Sequence, residues 1–368
     1  MVIYRSKPII GKEEHDAFTR VLDSGIFVKG PEAAALEKEF ASYCGIQQAV
    51  AVNSGTSALE LSIQALGIGP GDEVITAANS FMATSNAIET NGAKAVFVDV
   101  NPETFNIEPE KVRKAITGKT KAIMPVHLYG QCADMRQLSE IAESHGIPVI
   151  EDACQAHGAK CGSAKAGSIG TLGCFSFFPA KNMTVGGDGG IITTNNAELA
   201  DKIRMLRNAG RGKDAHDAII VGHNNRISEI LAAIGRVQLK KLDRWNSKRR
   251  GLARDYNSNL GDSGVITPKE AKNNYHVYHL YTIKTRKRDG LMEHLKSRGI
   301  NCDVNYPIPC PLMTAYRKKW GYSPGSWPNT ERIAHEILSI PMWPGLSEEQ
   351  IHYISNEIKN FLKTSQAH

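Results

Sequence analysis

Residues 148–152 are Pro148-Val149-Ile150-Glu151-Asp152, a short apolar run that ends in two acidic side chains. Similar apolar runs recur across residues 48–195, and they alternate with stretches whose apolar residues have helical spacing. This alternation is typical of a mostly parallel sheet with helices on both faces. The sequence therefore predicts an α/β fold with Asp152 at the carboxyl edge of the sheet, where open α/β folds bind ligands.

The order of predicted elements also indicates two domains. Strands are predicted over residues 49–52, 73–76, 95–100, 122–126, 148–151, 174–178 and 191–194. Helices are predicted over residues 57–66, 109–116, 135–145 and 228–248, with Asn106 and Asp134 as cap signals for the second and third. Beyond Arg250 the pattern predicts helices over 289–298 and 347–362 and a short strand near Cys302. We predict a large domain over residues 1–245, including an N-terminal arm, and a smaller α+β domain over residues 246–368.

Composition excludes several classes of protein. Of 368 residues, 41% are hydrophobic and 22% are charged, which suits a globular protein with a large core. No apolar run is long enough to span a membrane, and the first residues lack a signal-peptide pattern, so a cytoplasmic protein without membrane contacts is expected. The net charge of +6 comes from interspersed signs, which argues against nucleic-acid binding. Seven scattered cysteines without a C-x-x-C pair predict free thiols and no metal site.

Three short stretches carry candidate chemistry. The first, Asn53-Ser54-Gly55-Thr56-Ser57, leads from a strand into a helix, and such a helix start binds a phosphate or is simply capped by Ser54 or Thr56. The second is Asp152, which either faces a cationic ring nitrogen or caps a helix that starts at Ala153. The third is the loop around Lys181, where a desolvated lysine becomes an amine nucleophile, although most lysines are solvated surface residues.

Together, a phosphate cradle, an acid and a lysine suggest pyridoxal 5′-phosphate. The cradle holds the phosphate, Asp152 holds the pyridinium, and Lys181 forms a Schiff base. A nicotinamide-dependent dehydrogenase is not favoured, because the glycines at residues 186–190 do not match G-x-G-x-x-G between a strand and a helix.

The chain resembles the DegT/DnrJ/EryC1/StrS sugar aminotransferase family, which has the pyridoxal-phosphate-dependent transferase fold type I. The resemblance rests on an ordered set of stretches at residues 25–31, 54–59, 125–131, 151–158, 222–226, 278–281 and 341–342, together with the Lys181 loop. It covers nearly the whole chain.

The resemblance implies a role for each matching residue. Lys181 carries the cofactor and then moves the proton, and Asp152 pairs with the pyridine nitrogen. Gln155 contacts the ring hydroxyl oxygen, and Phe81 stacks on the ring unless it is a core residue. Asn224 reaches the phosphate of the neighbouring subunit, which implies a homodimer with shared sites. The implied phosphate-binding residues are Gly55, Thr56, Ser57 and Ser176. His157 and Tyr306 are candidate substrate contacts, although a structural role for His157 is equally open.

The implied reaction moves an amino group from L-glutamate to a nucleotide-linked keto-sugar. Residues 151–158 and the Gly-Asp-Gly-Gly stretch after Lys181 resemble members that act at C3 of the sugar. Amination at C4 of a 4-keto-6-deoxy sugar nucleotide, or of a keto-cyclitol, is the alternative. A noncatalytic regulator with this fold is an alternative of a different class. The family commonly has two histidines around a Tyr-Pro pair in the small domain. Asn305 and Cys310 stand near those positions here, which leaves substrate binding open.

Overall fold

The computed structural model describes residues 2–212, 214 and 216–364. Within them the strands are β1 (Gln48–Val52), β2 (Glu73–Ala77), β3 (Lys94–Val98), β4 (Thr120–Met124), β5 (Ile150–Asp152), β6 (Lys160–Cys161), β7 (Ala164–Lys165), β8 (Leu172–Ser176), β9 (Gly190–Thr194), β10 (Asn274–Tyr275), β11 (Tyr281–Lys284) and β12 (Ile337–Ile340). The helices are α1 (Lys12–Ser24), α2 (Pro31–Cys44), α3 (Gly55–Ala65), α4 (Met82–Thr90), α5 (Pro109–Ala115), α6 (Met135–His145), α7 (Ala197–Leu206), α8 (Glu229–Leu260), α9 (Arg288–Ser297), α10 (Thr314–Trp320), α11 (Pro328–Glu336) and α12 (Glu348–Thr364). Short 3₁₀ helices lie at Leu128–Gly130 and Cys310–Leu312.

A central sheet is formed from two groups of strands, β3-β2-β4 and β5-β8-β9-β1. Parallel bridges between Ile123 and Val149, and between Val126 and Asp152, join β4 to β5. The order across the sheet is therefore β3-β2-β4-β5-β8-β9-β1, and β9 runs antiparallel to both of its neighbours. The mostly parallel sheet predicted from the sequence is confirmed.

Helices cover both faces of this sheet. Val50 and Val52 of β1 belong to the same core cluster as α3, whereas Ala49 and Ala51 belong to the cluster of α2. Successive side chains of a strand point to opposite faces, so this alternation places the two helices on opposite sides. Because both faces are buried, the strands are mostly apolar, as is typical of parallel sheets.

Helix α8 is longer than predicted and connects two cores. Its N-cap is Ser228, whose hydroxyl accepts a hydrogen bond from the Leu231 amide. Leu242 packs in a core cluster of the central sheet, and Tyr256 packs in a separate cluster with β11, β12 and α12. The predicted boundary between residues 245 and 246 falls inside this continuous helix, and the division into two domains stays a prediction.

Two local predictions were wrong, and one open alternative is not observed. Asn106 does not cap α5, whose N-cap is Glu108, because its side chain bonds instead to the backbone of Leu128, Gln131 and Cys132. The residues after Asp152 form turns rather than a helix. The strand expected near Cys302 is reduced to a single bridge from Asp303 to Ser339. All seven cysteines are free, as predicted.

No helix in the described part of the chain is long and apolar enough to cross a membrane.

Candidate active site

A cavity of about 430 Å³ opens at the carboxyl ends of β5 and β8. Eight of the predicted site residues line it, namely Gly55, Thr56, Phe81, Asp152, Gln155, Ser176, Lys181 and Tyr306. The fold thus brings together residues that are far apart in the sequence, from Gly55 to Tyr306. We call Gly55, Asp152, Ser176 and Lys181 the sheet side of the cavity. The C-terminal side comprises Arg5, His279, Asn305 and Tyr306.

Asp152 is the last residue of β5, and its side chain is buried. The Asp152 amide donates a hydrogen bond of 2.9 Å to the carbonyl of Pro125, which follows β4, and this bond fixes the backbone of Asp152. Oδ2 accepts a hydrogen bond from the Thr84 hydroxyl at 2.7 Å, and Oδ1 accepts one from the Cys154 amide at 3.2 Å. Two donors therefore orient the carboxylate toward the cavity, and buried carboxylates need such partners.

The start of α3 forms a cradle for an anion. The Ser54 hydroxyl accepts a hydrogen bond of 3.0 Å from the Ser57 amide. The first amides of a helix have no hydrogen-bond partner within the helix. A Cβ atom added at Gly55 would lie 2.5 Å from Cβ of Ser176 and 3.1 Å from Sγ of Cys154. Only glycine allows the start of α3 and the end of β8 to approach this closely. The arrangement suits a phosphate, which helix starts bind through amides and the helix dipole.

Lys181 follows β8 in a loop and is partly buried at the cavity. Its amide donates to the Phe178 carbonyl at 2.8 Å, which folds the loop back on the strand end. Burial lowers the pKa of Lys181, because desolvation disfavours the ammonium form, although nearby Cys154 and Asp152 oppose this shift. The lysine is therefore more available as a free amine than a surface lysine is.

Gln155 has a defined orientation. Its Oε1 accepts the Tyr129 amide at 2.8 Å, so its Nε2 is the donor that faces the Tyr306 hydroxyl at 3.2 Å. The rings of Tyr306 and Phe81 are 5.8 Å apart between centroids. Phe81 is 47% exposed, which is unusual for a core aromatic and suits a ring that stacks on a ligand.

Three predicted site residues do not line this cavity. Ser57 lies just below it and shares a hydroxyl contact of 3.0 Å with Ser54. Asn224 is exposed and pairs with Asn208, so a role at the phosphate requires a second subunit and stays a prediction.

His157 is fully buried beside the rings of Phe175 and Phe177, with centroids 5.3 and 5.8 Å away. Burial lowers the pKa of His157 to about 3, so the ring is neutral at physiological pH. Its role as a substrate contact also stays a prediction.

Among the polar residues of the cavity that the sequence analysis did not predict are Thr84 and Arg5. Thr84 donates to Asp152 and lies 2.7 Å from the Ser80 hydroxyl, but a single threonine within a helix gives no sequence signal. Arg5 reaches the cavity from the N-terminal segment, and nothing in its neighbours in the sequence predicts that placement.

The departure from the family pattern at residues 305–311 has a structural explanation at Cys310. This residue is buried, its amide donates to the Ala78 carbonyl, and its thiol contacts the Ser80 carbonyl at 3.2 Å. Cys310 therefore packs against the loop that precedes α4 and does not line the cavity, whereas Asn305 and Tyr306 do.

The described residues fit pyridoxal 5′-phosphate. The glycine-lined cradle matches a phosphate, the oriented Asp152 carboxylate matches a cationic ring nitrogen, and the Lys181 amine lies at the same cavity. Gln155 and Phe81 provide a hydrogen-bond donor and an aromatic face between these groups.

Comparison with known proteins identifies the family of the chain. The model of the DegT/DnrJ/EryC1/StrS aminotransferase family matches residues 8–359. The chain is 45% identical over 351 residues to a pleiotropic regulatory protein of Geobacillus stearothermophilus, which covers 94% of each chain. It is 42% identical to a dTDP-3-amino-3,4,6-trideoxy-alpha-D-glucose transaminase of Streptomyces venezuelae, over 95% of this chain and 92% of the relative. It is 40% identical to a UDP-N-acetyl-3-dehydro-alpha-D-glucosamine 3-aminotransferase of Acidithiobacillus ferrooxidans, over 93% of this chain and 92% of the relative.

Solved structures show the same relationship. The crystal structure of S. venezuelae DesV in complex with a ketimine intermediate superposes with a TM-score of 0.93 at 41% identity, over 95% of this chain and 94% of that one. The pyridoxal-phosphate form of a sugar aminotransferase described as putative, Spr1654 from Streptococcus pneumoniae, has a TM-score of 0.94 at 28% identity, over 99% of both chains. The chain therefore belongs to the DegT/DnrJ/EryC1/StrS aminotransferase family.

Proposed function

We propose that the protein transfers an amino group from L-glutamate to C3 of a nucleoside-diphosphate keto-sugar. One observation carries this proposal: an amine, an oriented carboxylate and an anion cradle line one cavity in a member of an aminotransferase family. Family membership confirms the expected cofactor, because these aminotransferases depend on pyridoxal 5′-phosphate and related structures hold it.

The cofactor, when bound, supplies an electron sink for the electron pair left at the α-carbon of the donor. Asp152 keeps a proton on the ring nitrogen, since a close opposite charge favours the charged form of that nitrogen. Thr84 and the Cys154 amide hold the Asp152 carboxylate in place for this purpose.

Lys181 is the proposed base. Burial favours its neutral amine, so Nζ takes up and releases the proton at the donor α-carbon. The start of α3, together with Ser176, binds the phosphate and prevents the ligand from moving while the proton is transferred. Gln155 would offer Nε2 as a donor to the ring hydroxyl oxygen, because its Oε1 already accepts a hydrogen bond from the Tyr129 amide.

Relatives support C3 as the position of amination. The names of the S. venezuelae and A. ferrooxidans relatives both place the amino group at C3 of a nucleotide sugar. These relatives match the chain over nine-tenths of its length, so the residues around the cavity are included in the comparison. A dimer with shared sites is part of the proposal, because Asn224 lies outside the cavity of its own chain.

A regulatory role is less well supported. One relative has a regulatory name, but the complete set of Lys181, Asp152 and the cradle is what catalysis requires. A noncatalytic protein has no need for an amine whose pKa is lowered at the cofactor site.

The test has two steps. First, L-glutamate is added to the cofactor-loaded protein, and the loss of the visible absorption band is followed. Second, the aminated cofactor form is incubated with 3-keto and 4-keto nucleotide sugars and with a keto-cyclitol, and the products are identified by mass. Aminated product from the 3-keto sugar alone is expected. Product only from the 4-keto sugar or the cyclitol would reverse the choice of acceptor, and no response to glutamate would reject the donor.

A further inference from the structure

The N-terminal segment at residues 3–5 is attached to the C-terminal part of the chain. The Ile3 amide donates to the Gly299 carbonyl at 2.8 Å, and the Asn301 amide donates to the Ile3 carbonyl at 2.9 Å. The Met342 amide donates to the Arg5 carbonyl at 3.0 Å, and Ile3 is buried in the C-terminal core cluster. Hydrogen bonds on both sides therefore fix the backbone of Arg5 although it is close to the chain terminus.

The Arg5 side chain lines the cavity that contains Lys181. It also lines a second cavity of about 400 Å³, which shares Phe178 and Ala180 with the first. The backbone carbonyl of Arg5 is bonded, but its guanidinium group has no ion-pair or hydrogen-bond partner within residues 2–212, 214 and 216–364. Arginine stays charged at all relevant pH values and carries five donors, so this group is free to bind an anion.

The charges around the cavity leave one position for a second anion. Lys181 and Arg5 are its basic residues, and Asp152 and Asp188 are its acidic residues. Lys181 is engaged in the proposed chemistry, and the phosphate of the cofactor is assigned to the start of α3. Arg5 is then the remaining cation of the described lining.

The field of Arg5 reaches both the sheet side and the C-terminal side of the cavity. Burial lowers the pKa of Lys181, and the charge of Arg5 acts in the same direction. Burial raises the pKa of Tyr306, and Arg5 opposes that shift. Both effects agree with the position of Arg5, which lines the same cavity as Lys181 and Tyr306.

We propose that Arg5 binds the α-carboxylate of the amino donor. In an α-amino acid a single carbon separates the carboxylate from the reacting nitrogen, so the residue that binds the carboxylate must lie near the lysine. The planar guanidinium group matches a carboxylate through two parallel hydrogen bonds. This inference rests on the proposed function, and it assigns one substrate contact to the N-terminal segment.

The variants Arg5→Gln, Arg5→Lys and Lys7→Gln test the assignment. Lys7 is an exposed cation two residues after Arg5 that does not line either cavity, so Lys7→Gln removes an equal charge as a control. Each cofactor-loaded protein is titrated with L-glutamate and with 4-aminobutanoate, which is glutamate without its α-carboxylate. The readout is the amine concentration that gives half-maximal loss of the visible band.

Arg5→Gln is expected to raise the glutamate concentration needed for half-maximal loss of the visible band by about 10- to 100-fold. This is the range expected when charge-assisted hydrogen bonds are lost. The response to 4-aminobutanoate is expected to stay the same, so the variant loses the preference for glutamate. Arg5→Lys restores part of that preference, and Lys7→Gln behaves as the wild type. An unchanged visible spectrum before the amine is added shows that the cofactor site is intact.

Three results would overturn the assignment. An Arg5→Gln protein that keeps the wild-type preference for glutamate does not use Arg5 for the α-carboxylate. A loss confined to the second half-reaction with the keto-sugar nucleotide assigns Arg5 to the diphosphate instead. Equal losses in Arg5→Gln and Lys7→Gln indicate a general charge effect. If the wild-type protein itself does not respond to glutamate, the proposed donor is rejected. The wild-type response therefore tests the proposed function, and the variants test the role of Arg5.

Discussion

The sheet side and the C-terminal side of the cavity are built differently. Asp152 and Ser176 end neighbouring parallel strands, and the groups around them are fixed by short hydrogen bonds. Asn305 and Tyr306 lie in loops, and Arg5 is carried by a segment that packs on the C-terminal core. Side chains at strand ends are held in fixed positions, whereas loops tolerate changes in the residues that contact substrate. Of the two positions that depart from the family pattern, Asn305 lies on the C-terminal side, whereas Cys310 packs outside the cavity.

Replacement of Lys181 should have the largest effect. Lys181→Ala removes the amine that is proposed to carry the cofactor and the proton, so turnover is expected to be abolished. The control is Lys165→Ala, because burial also lowers the pKa of Lys165 but this lysine bonds to the Tyr43 carbonyl and does not line the cavity. Near-normal activity of Lys181→Ala in a coupled assay would contradict the proposed mechanism.

Replacement of the carboxylate on the sheet side should have the next largest effect. Asp152→Asn keeps the shape of the side chain but removes the charge opposite the ring nitrogen. We expect turnover to fall by about 10² to 10³, the usual loss for one preorganised electrostatic group. Asp188→Asn removes an exposed carboxylate at the same cavity and is the matched control. Similar turnover in both variants would show that charge at Asp152 has no special role.

The hydrogen bond that orients Asp152 is expected to matter less than the carboxylate itself. Thr84→Val leaves Oδ2 of Asp152 without its hydroxyl donor at 2.7 Å. An unsatisfied buried acceptor costs about 1–3 kcal/mol of stability, and turnover should fall by roughly tenfold. Thr84→Ser keeps the hydroxyl and should retain most of the activity. Comparison of turnover with the denaturation midpoint separates the two effects, and full activity of Thr84→Val would exclude a positioning role.

Among these four replacements, the smallest effect is expected for Tyr306. Tyr306→Phe removes the hydroxyl that lies 3.2 Å from Gln155 Nε2 but keeps the ring beside Phe81. Loss of one neutral hydrogen bond corresponds to a change of about two- to tenfold, here in KM for the keto-sugar. Tyr316→Phe is the control, because its hydroxyl bonds to Asn86 away from the cavity. A loss as large as that of Asp152→Asn would place Tyr306 in the chemical step.

Much of the sheet side was predictable from local sequence. The strand positions followed from apolar runs, and Asp152 and Lys181 each follow such a run. Their shared position at one edge follows from the parallel order of the strands. Helix α6 was predicted with both of its ends, because Asp134 caps it by accepting the Gln137 amide.

Contacts between distant residues were not predictable in the same way. Thr84 and Asp152 are 68 positions apart, and neither neighbourhood encodes the hydrogen bond between them. Asn106 resembled a helix cap, but its side chain forms hydrogen bonds to the backbone of residues 128, 131 and 132. These partners, distant in the sequence, take the place of the amides at the start of α5. A propensity for capping describes only what a side chain does when nothing else is near.

The sequence by itself determined the class of fold, the family resemblance and the lysine and acid at the centre of the site, because these depend on periodicity and on motifs within single segments. Only the tertiary structure decided that Arg5 lines the cavity, that Thr84 orients Asp152 and that His157 lies among aromatic rings. Each of these placements comes from packing of segments distant in the chain, and packing depends on the shapes of all the surfaces that meet.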